Sequence, residues 1–208
     1  MLTPLLIPFL AAMFLAVNMG GSGTAPSFAV AYGARLIRKD RISGVFGIFV
    51  LLGAIIAGKK VSLTIGRDIL PADVMSPEMT TLVLLSVGIA LLVANLLKVP
   101  QSTTQTTVFA LAGSALYLDV LQTRRLFLEI MPMWVVLPVC SFVLTFLIGR
   151  FVHGPAKLKW PNLQGKGTAM PIVGWVVIIA SCYVAFAIGS NNVANAAGPI
   201  VSMTINQL

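Results

Sequence analysis

Residues 180–199 read ASCYVAFAIGSNNVANAAGP: a nearly all-apolar run to Ile188, a stop at Gly189-Ser190-Asn191-Asn192, then a helix-forming resumption from Val193. Residues 9–30, FLAAMFLAVNMGGSGTAPSFAV, do the same around Gly20-Gly21-Ser22-Gly23. With Gly20 laid on Gly189, identity is confined to Gly20/Gly189 and Ala25/Ala194, but the order of the three parts is shared. This pattern predicts two helices interrupted near their middles. The structural breaks are expected at Gly20, Gly21 and Pro26 in the first, at Gly189 in the second, and at Pro100 ahead of a third helix start.

The rest of the chain fixes the solvent. Of 208 residues, 58% are hydrophobic and 10% charged, where soluble domains carry about 25% charged residues. With a mean hydropathy of +0.97, the sequence predicts an all-α integral membrane protein surrounded by lipid. Six apolar segments follow: Leu2 to Leu36, Ile42 to Gly58, Met79 to Leu97, about Pro100 to Leu118, Phe127 to Gly149, and one from Met170 to a truncated end. The net charge of +8 makes no basic helical stripe, which excludes nucleic acid as the partner. No Lys or Arg precedes the first segment, so it reads as a retained span and not a signal peptide. Cys140 and Cys182 lie in apolar runs, as small hydrophobes.

All acidic and basic residues fall in loops or at segment ends. Strict alternation puts nine basic residues on the side of Arg35, Arg38, Lys39 and Arg41, counting Lys98, Arg150, Lys157, Lys159 and Lys166 with them. Five remain opposite: Lys59, Lys60, Arg67, Arg124 and Arg125. The positive-inside bias then places the amino terminus outside, with five crossings before the sixth segment. The two interrupted segments enter from opposite faces, the mark of an inverted repeat. Residues 1–150 form the first repeat, 151–170 a basic cytoplasmic loop, and 171–208 the start of the second repeat.

Backbone amides freed at bilayer depth survive only where they line a cavity or ligand site. Ser22 or Thr24 is expected to cap one new helix, Asn191 or Asn192 another, and Ser102 or Thr103 the fourth segment. Asn195 follows one turn after Asn191 on the same face. Helix starts converging on one cavity make an anion site without Lys or Arg. Desolvating an ion costs several kcal/mol; one terminus contributes about 0.3 to 2 kcal/mol and a hydrogen bond to a charged group roughly 1.5 to 3. Several termini are therefore needed. The competing reading is close helix packing by small and hydroxylated residues, which applies to Ser22, Ser27, Thr106 and Thr107 as well as ligand contact does. Gln105 fits a ligand contact or an interhelical hydrogen bond, and His153 beside Gly154-Pro155 reads as a solvated loop residue. No residue pattern proposes a metal site or a catalytic group, and the chain is not expected to be an enzyme.

Gly189-Ser190-Asn191-Asn192-Val193-Ala194-Asn195-Ala196 resembles the Gly-Ala-Asn-Asp-Val-Ala-Asn-Ala repeat of the inorganic phosphate transporter (PiT) family at six of eight positions. Pro100-Gln101-Ser102-Thr103-Thr104-Gln105 is similar to that family's Pro-x-Ser-Thr-Thr-His, and the closest resemblance is to its sulfate-permease branch. The resemblance implies a secondary anion transporter with alternating access. The contacts it implies, with their neighbours, are Ser22, Gly23, Thr24, Ser27, Ser102, Thr103, Thr104, Gln105, Asn191, Asn192 and Asn195. The chain departs from the family pattern in three ways: Gly23 and Asn192 stand where the phosphate carriers have Asp, Pro26 replaces the motif Asn, and Gln105 replaces His.

Phosphate near neutral pH keeps a proton that a carboxylate can accept, while sulfate is an acceptor only and is repelled by one. The loss of both Asp residues favours sulfate, with thiosulfate or phosphate as lesser substrates. Import of a dianion costs about 4.6 kcal/mol per 100 mV of interior-negative potential, so H+ or Na+ is the expected coupling ion, held by neutral oxygens, by the substrate itself or by the missing half. The alternatives are an uncoupled anion channel and a phosphate carrier of the same family. A bacterial inner-membrane location is expected, and the resemblance leaves room for a homodimer.

Overall fold

The computed structural model describes residues 3–68, 74–153 and 169–205. They form α1 (Thr3–Gly33), α2 (Lys39–Asp68), α3 (Pro77–Leu97), α4 (Thr103–Tyr117), α5 (Met131–Ile148) and α6 (Ala169–Ile205). A helical turn at Thr123–Arg125 and π-helical turns at Leu126–Ile130 and Gly149–His153 flank α5. Five stretches are long and apolar enough to cross a bilayer: Leu5–Gly33, Lys39–Lys59, Pro77–Leu97, Thr123–Phe151 and Val173–Thr204. They leave Leu51, Ile55, Ile56, Leu96 and Phe142 exposed, a surface suited to acyl chains and not to water. The chain is a multi-pass membrane protein.

The expected interruptions are absent. α1 runs unbroken through Gly20, Gly21 and Pro26, and α6 runs unbroken through Gly189. The hydroxyls at the expected breaks turn back onto their own helices, Ser22 and Thr24 among them instead of capping: Ser22 Oγ donates to Met19 O at 3.0 Å, Thr24 Oγ1 to Gly20 O at 3.0 Å, Ser27 Oγ to Gly23 O at 2.9 Å and Ser190 Oγ to Ala187 O at 2.8 Å. Energetics favour continuity. A glycine inside a helix costs about 1 kcal/mol against alanine, whereas each backbone group stranded in hydrocarbon costs several. Gly189 has a packing role instead: a Cβ there would run into the Val50 carbonyl of α2, and one on Gly53 into the Phe186 carbonyl of α6. These two glycines let the backbones of α2 and α6 touch.

Two further expectations are corrected. The fourth segment shrinks to α4, whose 15 residues extend about 22 Å, short of the roughly 30 Å hydrocarbon core. α4 folds back along α3 as the second arm of a hairpin. α2 continues ten residues past Gly58, so Lys59 and Lys60 lie within a helix and not in a loop. Most of the basic loop, including Lys157, Lys159 and Lys166, lies outside the described residues, as does Asp73. His153 closes the second π-helical turn.

The chain divides into two units, one of residues 1–122 with 180–208 and one of residues 123–179. In the second, α5 buries none of its residues. In the first, Ala11, Ala12, Leu15 and Met19 of α1 pack on Leu84, Val87 and Leu91 of α3, with Ala110 of α4 and Ala196 and Ile200 of α6 against them. Gly88 makes room for the Phe14 ring, which a Cβ would meet at 2.7 Å. Asn95 Nδ2 donates to Asn18 O at 3.2 Å, so α1 and α3 run parallel. α1 and α6 run antiparallel, since Gly23 faces Ile188 while the earlier Ala11–Met19 stretch meets Ala196 and Ile200.

Candidate functional site

The hairpin tip is built by its sequence. α3 ends in a left-handed residue, Lys98 (φ 57°), and Val99 N–H returns to Ala94 O at 2.9 Å to close the helix end. Pro100 cannot continue a helix, and the chain passes extended to Ser102, whose Oγ accepts from Gln105 N–H at 3.3 Å and caps α4 as expected. Gln101 Nε2 donates to Thr106 Oγ1 at 2.8 Å and steadies the entry. Among the described residues the Thr103 and Thr104 amides meet no acceptor, so the α4 terminus keeps two free donors.

This tip meets the asparagines of α6. Thr103 Oγ1 donates to Asn192 Oδ1 at 3.1 Å, and Thr104 Oγ1 accepts from Asn191 Nδ2 and Asn195 Nδ2, each at 3.3 Å. Spacings of three and four put the three amides on one helix face. They cap nothing, contrary to expectation for Asn191 and Asn192, because α6 does not start there. Asn195 is 0% exposed, and its Oδ1 has no partner among the described residues.

In front of these bonds lies a cavity of about 460 Å³ that gathers all three sequence motifs: Gly21, Ser22, Gly23 and Pro26 of α1, Lys98, Pro100, Gln101 and Thr103 of the tip, and Asn192 of α6. Other predicted residues stand elsewhere. Thr24 lines a separate space of about 420 Å³ with Tyr32 and Lys39, and Ser27 is buried. Ser102, Thr104, Gln105, Asn191 and Asn195 frame the tip without lining the cavity. Asn192 also borders a neighbouring cavity of about 350 Å³ with walls of Phe9, Met13, Phe46 and Ile200.

The arrangement suits an anion. One helix terminus, not several, borders the space, at Thr103, together with the side-chain amides of Asn95, Gln101 and Asn192 and the hydroxyl of Ser22. The lining includes no carboxylate. It does include Lys98, which sequence reasoning assigned to a loop; its signal was its position two residues ahead of Pro100 in the motif. The expectation was of a site that needs no Lys or Arg, and this cavity has a lysine in its lining.

Comparison with known proteins places these motifs in context. The Phosphate transporter family pattern matches residues 19–161. Sulfate permease CysP of Bacillus subtilis is 34% identical over 199 residues, covering 95% of this chain and 54% of that protein. A putative phosphate permease of Mycobacterium bovis is 29% identical over 154 residues, 65% of this chain and 28% of its own. One from Pyrococcus horikoshii is 32% identical over 95 residues, 46% and 22% respectively. The chain thus spans about half the length of CysP and aligns with less of the others. No solved structure matches it.

Proposed function

The chain belongs to the phosphate transporter family, and from that premise we propose that it forms the oxyanion-binding half of a secondary transporter that favours sulfate over phosphate. The observation that carries the reading is the convergence of three separated motifs on one cavity lined by side-chain amides, hydroxyls and a lysine but no carboxylate. A permanent dianion meets donors there and no fixed negative charge. Phosphate loses the partner that its remaining proton would need.

The proposed topology keeps the amino terminus outside, in a bacterial inner membrane. α1, α2 and α5 cross, while α3 and α4 enter and leave by the same outer face. Because the hairpin adds two passes or none, α6 still enters opposite to α1, in keeping with their antiparallel packing. Arg35, Arg38, Lys39, Arg41 and Arg150 stay inside and Arg124 and Arg125 outside, as the positive-inside bias requires. Residues 1–150 serve as the first inverted repeat and 171–208 as the opening of its mate.

Accumulation of a dianion against the membrane potential calls for coupling to H+ or Na+. Asn195 Oδ1, without a partner among the described residues, is a neutral oxygen of the kind such a cation would use. The reading is tested with the protein in lipid vesicles, by uptake of labelled sulfate under an imposed proton or sodium gradient with unlabelled sulfate, thiosulfate and phosphate as competitors. Accumulation above equilibrium, displaced best by sulfate, is the expected result. Downhill flux alone would make it a channel, and stronger displacement by phosphate would return it to the phosphate carriers.

A further inference from the structure

Lys98 is the one ionisable side chain among the residues lining the 460 Å³ cavity, and the cavity's place among the helices gives that charge its meaning. The apolar stretch of α6 runs Val173–Thr204, so its centre falls between Ile188 and Gly189. Asn192 lies about 5 Å beyond that centre at 1.5 Å per residue, and Thr103 is bonded to it. The centre of the α1 stretch, Leu5–Gly33, falls at Met19, two residues before the part of α1 that lines the same cavity. The hairpin tip therefore sits near the middle of both long helices. Lys98 ends α3 at that tip and borders the cavity where α1, α4 and α6 meet.

Arg38 and Arg125 have carboxylates near them, in Asp40 and Glu129. Lys98 has no ion-pair partner among the described residues, and its side chain is exposed. The backbone holds it in place: it occupies the left-handed position that ends α3, with its N–H directed to Asn95 O at 3.2 Å. Arg35 and Asp119 end α1 and α4 in the same left-handed way, so the conformation is this fold's ordinary helix stop, and what distinguishes Lys98 is the cavity it borders.

We propose that Lys98 is a specificity-determining residue: its ammonium pairs with a tetrahedral oxyanion in the cavity and sets the preference for two negative charges over one. The proposal rests on the cavity being the oxyanion site. Its quantitative content is electrostatic. Attraction to a fixed charge scales with the charge of the guest, so removing the lysine costs a dianion about twice the free energy it costs a monoanion of the same shape. The fold-loss for the first is then the square of the fold-loss for the second.

Sulfate and perchlorate are the probes, both tetrahedral and differing in charge. Binding of each is measured by competition against labelled sulfate, with the intact protein in vesicles of phosphatidylcholine alone so that no anionic headgroup competes. Lys98→Gly is the main variant, because glycine suits a positive φ and a loss of binding there is not a folding defect. The expected result is roughly a hundredfold weaker sulfate binding against roughly tenfold for perchlorate. Lys98→Arg is expected to keep the ratio. Equal losses for the two anions, unchanged sulfate binding in Lys98→Gly, or a collapsed ratio in Lys98→Arg overturns the proposal while leaving the oxyanion reading in place. Absence of saturable sulfate binding by the unaltered protein removes the oxyanion reading itself, and the role of Lys98 with it.

Discussion

The middles of α1 and α6 look alike in sequence and behave differently in space. Around Gly20–Ser27 the hydroxyls bond to carbonyls of their own helix, and what α1 offers the cavity is a low wall of small residues. Around Gly189–Asn195 the three asparagine side chains reach across to α4, and the glycine abuts α2. The difference lies in reach. A serine or threonine hydroxyl in a helix finds the carbonyl three or four residues back, whereas the longer amides of Asn191, Asn192 and Asn195 extend past their own backbone to a neighbour. A run of small polar residues therefore marks either a helix that accommodates a space or one that grips a partner, and in α6 the three asparagines make it the second.

The sharpest way to break this comparison is at its two aligned glycines. Gly189→Leu is expected to abolish the folded protein, since even a Cβ strikes the backbone of α2 and overpacking alone costs about 1 to 3 kcal/mol; size-exclusion of the detergent-extracted protein reads the outcome. Next comes Asn192→Asp, which places a full negative charge at the cavity while Thr103 Oγ1 still has an oxygen to donate to. At an effective dielectric near 20, repulsion of a guest about 5 Å away is roughly 3 kcal/mol per unit charge, so sulfate uptake should fall at least about a hundredfold. Competition by phosphate should improve relative to sulfate. Unaltered sulfate preference would remove the charge argument.

How much of this was legible beforehand follows from the range of each signal. Span lengths are local sums of hydropathy, so α1, α2, α3, α5 and α6 were visible. The hairpin was not, because Pro100 to Leu118 counts as a span until its first residues are spent on the extended stretch and the Ser102 cap. The three motifs were found, but the bonds joining Thr103 and Thr104 to α6 link positions 87 to 91 residues apart, and no spacing rule reports that. The place of Lys98 beside Asn192 depends on the same bonds. Continuity through Gly20 and Gly189 was hidden for another reason: local propensity argues for a break, and only the cost of bare backbone in hydrocarbon reverses it.

Thr104→Val tests the grip itself. It deletes the acceptor of two amides, one of them fully buried, and should lower stability by about 1 to 3 kcal/mol, seen as earlier thermal unfolding in detergent. Smallest of all is Gly20→Ala. Nothing lies within 4 Å of a Cβ at that position, so the expected change is a gain of up to about 1 kcal/mol with sulfate uptake unchanged. Lost uptake in a stable Gly20→Ala protein would restore a hinge to α1 and undo the contrast with α6.

The double acceptor at Thr104 also decides how α6 is clocked. Asn191 and Asn195 approach one oxygen from successive turns, and a rotation of the helix by a single residue, about 100°, would carry both amides away together with the bond to Thr103. Apolar packing is forgiving of such a turn in a helix greasy on most sides. Three asparagines thus serve as an index mark, fixing which stripe of α6 looks inward and which looks out to lipid.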